Sequence, residues 1–391
     1  MDDLSITDAQ RYRGLFFLRL AVAAVGFTMS IQMGLKTNFV ADVIGVSGPQ
    51  LGVLEALRET CGVTAFVFLA ILAGLAESIV ASMVLLPLAG GLISYLFVGS
   101  YGSLVIASLI WSQGFHIWMP LPESMSLSLA EPGRAGHRLG QVRSAMSIGS
   151  GLALAVALVC VLCGVKIRPL YVLAGVISIV AAVSCLGIPR KIKTPGPRFV
   201  FRRRYTLYYV LSFLEGWRKQ IFICFAAFLL VREYGTPLTT MLLLWMGVSA
   251  ISFVASPSAG RLIDRIGERK TLVFYYIGLT AMFVGYAFIK NMYVLYAVFI
   301  VDSAFFVFAT ALTTYVKHIA PPSEYTPTLS MGVAMNHVAA VIMPLIGGAL
   351  WIIGYKWTFG LGVVAAVLSI AVVTRMPKHN LPLNTVESNT I

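Results

Sequence analysis

Several ionisable side chains of this chain fall where ionisation is costly: Arg19, Glu55, Arg58, Glu59, His116, Glu215, Arg218, Lys219, Asp302 and His337 lie within long apolar stretches. At mid-depth in a bilayer, a charged Asp, Lys or Arg carries a penalty of about 2.5–3.5 kcal/mol, so it is held by a partner or faces water. Glu55, Arg58 and Glu59 sit at i, i+3 and i+4, where one helical face lets the guanidinium reach both carboxylates. That spacing fits two roles, a self-neutralised cluster or a proton and substrate site. Glu215 can pair with Arg218 or Lys219 in the same way, which leaves one cation in excess. His116 and Glu123 are seven apart, on one face, in a helix that Pro120 and Pro122 must loosen. His116 also fits a plain helix–helix hydrogen bond. Asp302 stands alone in its segment, with pairing to Arg218 or Lys219 its simplest use. Asn336 precedes His337. The chemistry open to this set is proton uptake and charge recognition.

No hydrolytic triad, phosphate loop or metal-ligand set accompanies these residues, so no cofactor, metal or enzymatic activity is expected. Cys160 and Cys163 form a C-x-x-C without a second pair or a nearby histidine, and all five cysteines lie in apolar helices.

The elements that position these residues follow from composition. Of 391 residues 58% are apolar and 12% charged, and the mean hydropathy is +0.86. Soluble domains carry about twice that charge. About twenty apolar residues cross a bilayer as a helix, and such stretches recur near 14–35, 51–74, 79–98, 101–121, 142–164 and 169–188, then near 207–231, 239–259, 271–289, 292–314, 328–350 and 355–374. The expectation is an all-α membrane protein with twelve transmembrane helices. The net charge of +13 is a membrane address rather than a nucleic-acid signal, because the bases crowd into alternate loops. That asymmetry places both termini in the cytoplasm. The start, MDDLSITDAQRYRG, is expected to carry no cleaved signal.

One join is distinctive. Gly260 to Leu272 reads G-R-L-I-D-R-I-G-E-R-K-T-L and sets Gly260, Asp264, Arg265, Gly267, Arg269 and Lys270 between two membrane-length segments. This run resembles the cytoplasmic-loop signature of the major facilitator superfamily of secondary transporters, G-x-L-a-D-R-x-G-R-[RK], and departs from it at Glu268, where the family has a base. Laid over it without gaps at an offset of 187, Ala73 to Ser82 matches at Leu75, Ala76 and Glu77. The same offset pairs Lys219 with Gln32 and His116 with Ser303. The antiporter pattern of the family's fifth span lacks its proline here.

The resemblance implies two pseudo-symmetric six-helix bundles, 1–190 and 207–376, joined by a cytoplasmic linker at 191–206 and followed by a disordered tail at 377–391. It implies alternating access, with the Gly260–Lys270 motif and Glu77 as gating residues and the buried ionisable set, Glu123 and Asn336 as substrate or proton-coupling residues. The expected partners are a small solute, the lipid bilayer and protons, for a monomer in a bacterial inner or plasma membrane, with no nucleic acid. Excess charge at Arg218 and Lys219 favours an organic anion. The alternatives are a multidrug or lipophilic-compound efflux pump, with Trp111, Trp118, Trp217 and Tyr296 lining a pocket, and a non-transporting, receptor-like member of the family.

Overall fold

The computed structural model describes residues 6–131, 134–193, 201–321 and 324–377. The expected linker lies partly, and the expected tail almost wholly, outside the described residues. The described chain is helical, and its only strand-like pairing is one bridge between Ala76 and Lys193.

Local chemistry sets the helix starts. Thr7 and Gln10 form a capping box that opens α1 (Asp8–Asn38), which runs into a π turn at Phe39–Val43. Ser47 and Gln50 do the same for α2 (Gly48–Ile71), with Pro49 in its first turn. Such side chains satisfy backbone N–H groups that have no partner within the helix. Then follow α3 (Glu77–Ile93), α4 (Tyr101–Trp118), α5 (Leu121–Ser128), α6 (Ala135–Leu162) and α7 (Ile167–Cys185). The α4–α5 break falls at Met119 and Pro120, because a proline inside a helix removes a bond and clashes with the preceding turn.

The second half repeats this order. Helix α8 (Thr206–Ile221) runs through a π turn (Phe222–Ala226) into α9 (Ala227–Arg232), and α10 (Leu238–Ile266), α11 (Glu268–Phe288), α12 (Met292–Phe305), α13 (Thr310–Ile319), α14 (Tyr325–Ile353) and α15 (Tyr355–Val373) follow. Among the described residues nine helical segments are long and apolar enough to cross a membrane. Helix α2, the α8–α9 rod and α10 also have membrane length, and the first two carry the charged residues singled out above.

Two compact units result, one of Met1–Pro197 with Phe228–Met246 and one of Arg198–Ala227 with Gly247–Ile391. In the first, α1 packs on α6 and α7, and α3 on α4 and α7. Lipid tails offer no hydrophobic drive between helices, so small residues must let the backbones close up. A Cβ on Gly26 would meet the Met146 carbonyl oxygen at 2.5 Å, Gly149 sits directly on the Ala23 carbonyl, and Ser150 donates to the Gly26 carbonyl at 3.3 Å. Phe39, Tyr95 and Tyr171 form an aromatic cluster in the same unit, with Tyr95 and Tyr171 stacked at 4.3 Å. The opposite face of α6 is apolar and bare, with Ile148 70% and Leu162 69% exposed. A soluble surface would not carry such a stripe, and lipid accepts it.

In the second unit α8 packs on α14 and α15, and α11 on α15. The same pattern of partners thus recurs, first span on fifth and third on sixth. Gly216 abuts the backbone of Asn336, and Gly362 makes room for the Phe283 ring. Tyr286 stacks on Phe359 at 5.0 Å.

The helix starts and π turns correct the ungapped repeat. Glu77 opens α3 as Glu268 opens α11, so its counterpart is Glu268 rather than Asp264. Lys36 precedes the first π turn by three residues and Lys219 precedes the second by three, which pairs Lys219 with Lys36 rather than with Gln32. Connections of unequal length between the helices shift the register from one element to the next.

Candidate functional site

In the first unit the charges form one network. Glu55 is fully buried and receives Lys36 Nζ at 3.1 Å and Arg58 Nη2 at 2.6 Å. Arg58 also holds Glu59 at 2.9 Å and lies over the Trp111 ring, 5.5 Å from its centroid. Two acids and two bases, one lysine from α1 and the rest from α2, thus neutralise one another. Charged groups this deep need both partners in place.

His116 of α4 lies beside this network. Its Nδ1 is 2.8 Å from the Ser112 carbonyl oxygen, which can only accept, so Nδ1 carries the proton and Nε2 is the basic atom. Ser112 donates in turn to the Arg58 carbonyl at 3.2 Å. A ring nitrogen of His116 and a carboxylate oxygen of Glu59 lie within 4.8 Å of each other. Glu123 does not join them. It is on α5, beyond the Pro120 break, and pairs with exposed Arg143 at 3.0 Å. Trp111 and Trp118 are 1% and 2% exposed, so they fill the core of this unit instead of lining a pocket.

In the second unit the set is tighter. Arg218 of α8 is 1% exposed and donates to Glu215 at 2.6 Å, while its Nη1 stands 3.6 Å from Asp302 of α12. Tyr275 and Tyr276 of α11 donate to the two Glu215 oxygens at 2.9 and 3.4 Å. Tyr275 and Phe306 also place their rings against the guanidinium, 5.6 and 5.3 Å from its carbon. Lys219, on the next face of α8, donates to Asn336 Oδ1 of α14 at 3.4 Å. Asn336 is itself fixed by the close approach of Gly216. The helix α8 spacing, one tyrosine pair and one aspartate from a third helix therefore converge on a single guanidinium. His337 lies on α14 beside Asn336, half-buried.

The tyrosines and Lys36 were not among the residues that sequence reasoning singled out. Consecutive tyrosines in an apolar span were the available signal for the first, since a buried hydroxyl needs a partner.

The Gly260–Lys270 join proves tighter than a loop. Helix α10 continues to Ile266, and Gly267 alone, at φ +80°, turns the chain into α11. That backbone conformation suits glycine and strains other residues. Among the described residues no atom lies within 4 Å of a Cβ at Gly260. Arg269 donates to the Thr374 carbonyl at the end of α15, 2.7 Å away. Such a cation completes carbonyls that the helix leaves open. Glu268, the departure from the family pattern, is 7% exposed and meets His318 of α13 at 2.9 Å. Arg265 and Lys270 are exposed, and the Asp264 side chain lies outside what is described.

Two further clusters tie the helix ends. Glu324 receives Tyr205 at 2.6 Å, Arg202 at 3.2 Å and Arg204. The hydrogen bond from Arg204 holds its carboxyl below the usual range. Glu131 is bound by Arg138 through two bonds, at 2.5 and 2.9 Å, and these push its carboxyl down to about 2.

The buried charges thus sit on α1 and α2 in the first unit and on α8 and α12 in the second. Over 92% of its length the chain superposes on a point mutant of the nucleoside transporter NupG, with a TM-score of 0.77, 14% identity and 99% of that chain covered. A bacterial homologue of the human lysosomal transporter Spinster, inward-facing and unoccupied, gives 0.72 at 13% identity, covering 94% of this chain and 97% of that one. A D-xylose–proton symporter gives 0.70 at 13%, covering 92% and 97%. These neighbours are membrane transporters, not enzymes. Residues 208–388 match the family model of the Major Facilitator Superfamily. The second half thus matches that family in sequence, and the chain shares the fold of these transporters over nearly its whole length. No curated protein matches it in sequence.

Proposed function

We propose that the chain is a secondary active transporter that moves a small organic anion by alternating access, coupled to protons. It acts as a monomer in a bacterial inner or plasma membrane with both termini cytoplasmic. The observation that carries this reading is the second-unit cluster, where Glu215, Arg218 and Asp302 are fully enclosed by helices while a second cation, Lys219, stands next to them. Lys219 presents its ammonium to a neutral amide at 3.4 Å, a long contact that a carboxylate or phosphate would outcompete. The burial of Trp111 and Trp118 counts against a broad aromatic pocket, and so against the efflux alternative.

The test is uptake into proteoliposomes driven by an imposed pH gradient, with a panel of labelled monocarboxylates, dicarboxylates and sugar phosphates, and with lipophilic cations as the contrast. Accumulation of an anion that collapses with a protonophore supports the proposal. Ligand-induced thermal stabilisation without any flux would instead indicate a receptor-like protein.

A further inference from the structure

The third span of each unit opens on a buried acid, and in each unit the far part of the fourth span, α5 or α13, supplies a partner for it. Glu77 opens α3, is 0% exposed and accepts from Ser124 Oγ of α5 at 2.6 Å. Glu268 opens α11, is 7% exposed and lies 2.9 Å from Nε2 of His318, in the last turn of α13. The contact is thus built twice, once on a hydroxyl and once on an imidazole. A hydroxyl has no charge to gain near neutrality, whereas histidine changes charge between about pH 5 and 8.

The helix ends favour the ionic form in the second unit. A carboxylate in the first turn of α11 meets the positive end of that helix, and an imidazolium in the last turn of α13 meets the negative end of its own. The His318 side chain is 37% exposed and stands one residue from the end of α13, so it is open to protons from outside the bundle. Tyr315 of α13 is near enough to Glu268 for their charges to interact. Arg269 is bound to the Thr374 carbonyl at the end of α15, and Glu324 before α14 is held by Tyr205, Arg202 and Arg204. Arg265, Lys270 and Lys317 are exposed.

We propose that Glu268 and His318 form a pH-sensitive latch between α11 and α13. Protonated His318 holds the acid as an ion pair, and neutral His318 leaves a hydrogen bond without the charge. The tied form is the one that holds the proton, so falling pH strengthens the latch and rising pH loosens it. Gly267, at φ +80°, is the single residue between α10 and α11, so the latch also sets how firmly that turn is held. Glu268 is the position where this chain departs from the family signature, which makes the latch a property of this sequence. It uses none of Glu215, Arg218 and Asp302 and does not depend on the transport reading.

Hydrogen exchange on the full-length chain in lipid nanodiscs tests this with no solute present. After correction for the intrinsic rate at each pH, amides around the start of α11 and the end of α13 should be about two- to fivefold better protected at about pH 6 than at about pH 8, the range of a partly exposed ion pair. His318→Lys keeps a cation at both pH values and should hold the higher protection at both. Glu268→Gln keeps the shape of the acid and should show the lower protection at both. Equal protection of wild type at the two pH values, or a pH difference that survives in either variant, overturns the latch. Solute uptake is not read, so failure of the transport reading leaves this result unchanged, and failure here leaves that reading unchanged.

Discussion

Replacing Glu55 by glutamine keeps its shape and removes one buried charge. The carboxylate is 0% exposed and lies 2.6 Å from Arg58 and 3.1 Å from Lys36. Each contact is worth several kcal/mol of Coulomb energy even at an effective dielectric of about 20, but wild type has already given up hydration to form them. What the variant loses is balance: Lys36 and Arg58 remain inside the helices with Glu59 alone, a net charge of +1. Breaking a buried pair in this way destabilises by about 3–5 kcal/mol. Lys36→Met added to Glu55→Gln removes the orphaned ammonium and leaves Arg58 and Glu59 paired. The double variant should stay within about 1.5 kcal/mol of wild type, the range of volume-conserving changes. The coupling energy from the cycle should then reach about 2–3 kcal/mol. Reversible unfolding of detergent-solubilised protein by a denaturing surfactant measures all four corners. If Glu55→Gln unfolds with wild type, or if Lys36→Met fails to rescue it, the network does not bear on stability and the reasoning fails.

Three further outcomes are expected. Gly149→Val should force α6 off the Ala23 carbonyl and lower stability by at least the 1–3 kcal/mol typical of overpacking, about the same for Gly26→Val, while Gly260→Ala should leave the melting temperature unchanged. Lys219→Ala should abolish anion-induced thermal stabilisation and Lys219→Arg should retain part of it; equal behaviour of the two would show that the charge at this position is unused. The Glu131–Arg138 contact should be pH-dependent in one direction. Its carboxyl is depressed from 4.5 to about 2, so the contact stabilises the fold above the ordinary value and is lost as pH falls through about 2. Hydrogen exchange at the start of α6 should accelerate across that acid window in wild type and show no such step in Glu131→Gln.

The helices were legible because a bilayer demands a length of apolar residues that few other environments select, and the pairs Glu55–Arg58 and Glu215–Arg218 were legible because an i, i+3 spacing is read from one helix alone. Contacts between helices were less so. Lys36 reads as a polar end to its span until α2 brings Glu55 to it, and Tyr275 and Tyr276 read as packing until α11 lies against α8. The pairing of Asp302 with Arg218 was foreseeable, since an isolated acid in a span has few cations to choose from. His116 and Glu123 fail as a pair because the seven-residue spacing presumes an unbroken helix, which Pro120 interrupts. The ungapped repeat fails for a related reason, since one offset cannot follow connections that differ in length between the halves.

The turns at Phe39–Val43 and Phe222–Ala226 carry a consequence of their own. Each accommodates a surplus residue in a helix, so every side chain downstream is rotated by roughly a quarter-circle relative to an unbroken rod. Deleting one residue from either turn would let the rod wind regularly and swing its far end to a new azimuth, leaving Lys36 or Lys219 where it stands. The two halves have thus kept in common a shared irregularity, placed three steps after a lysine, more faithfully than the letters around it.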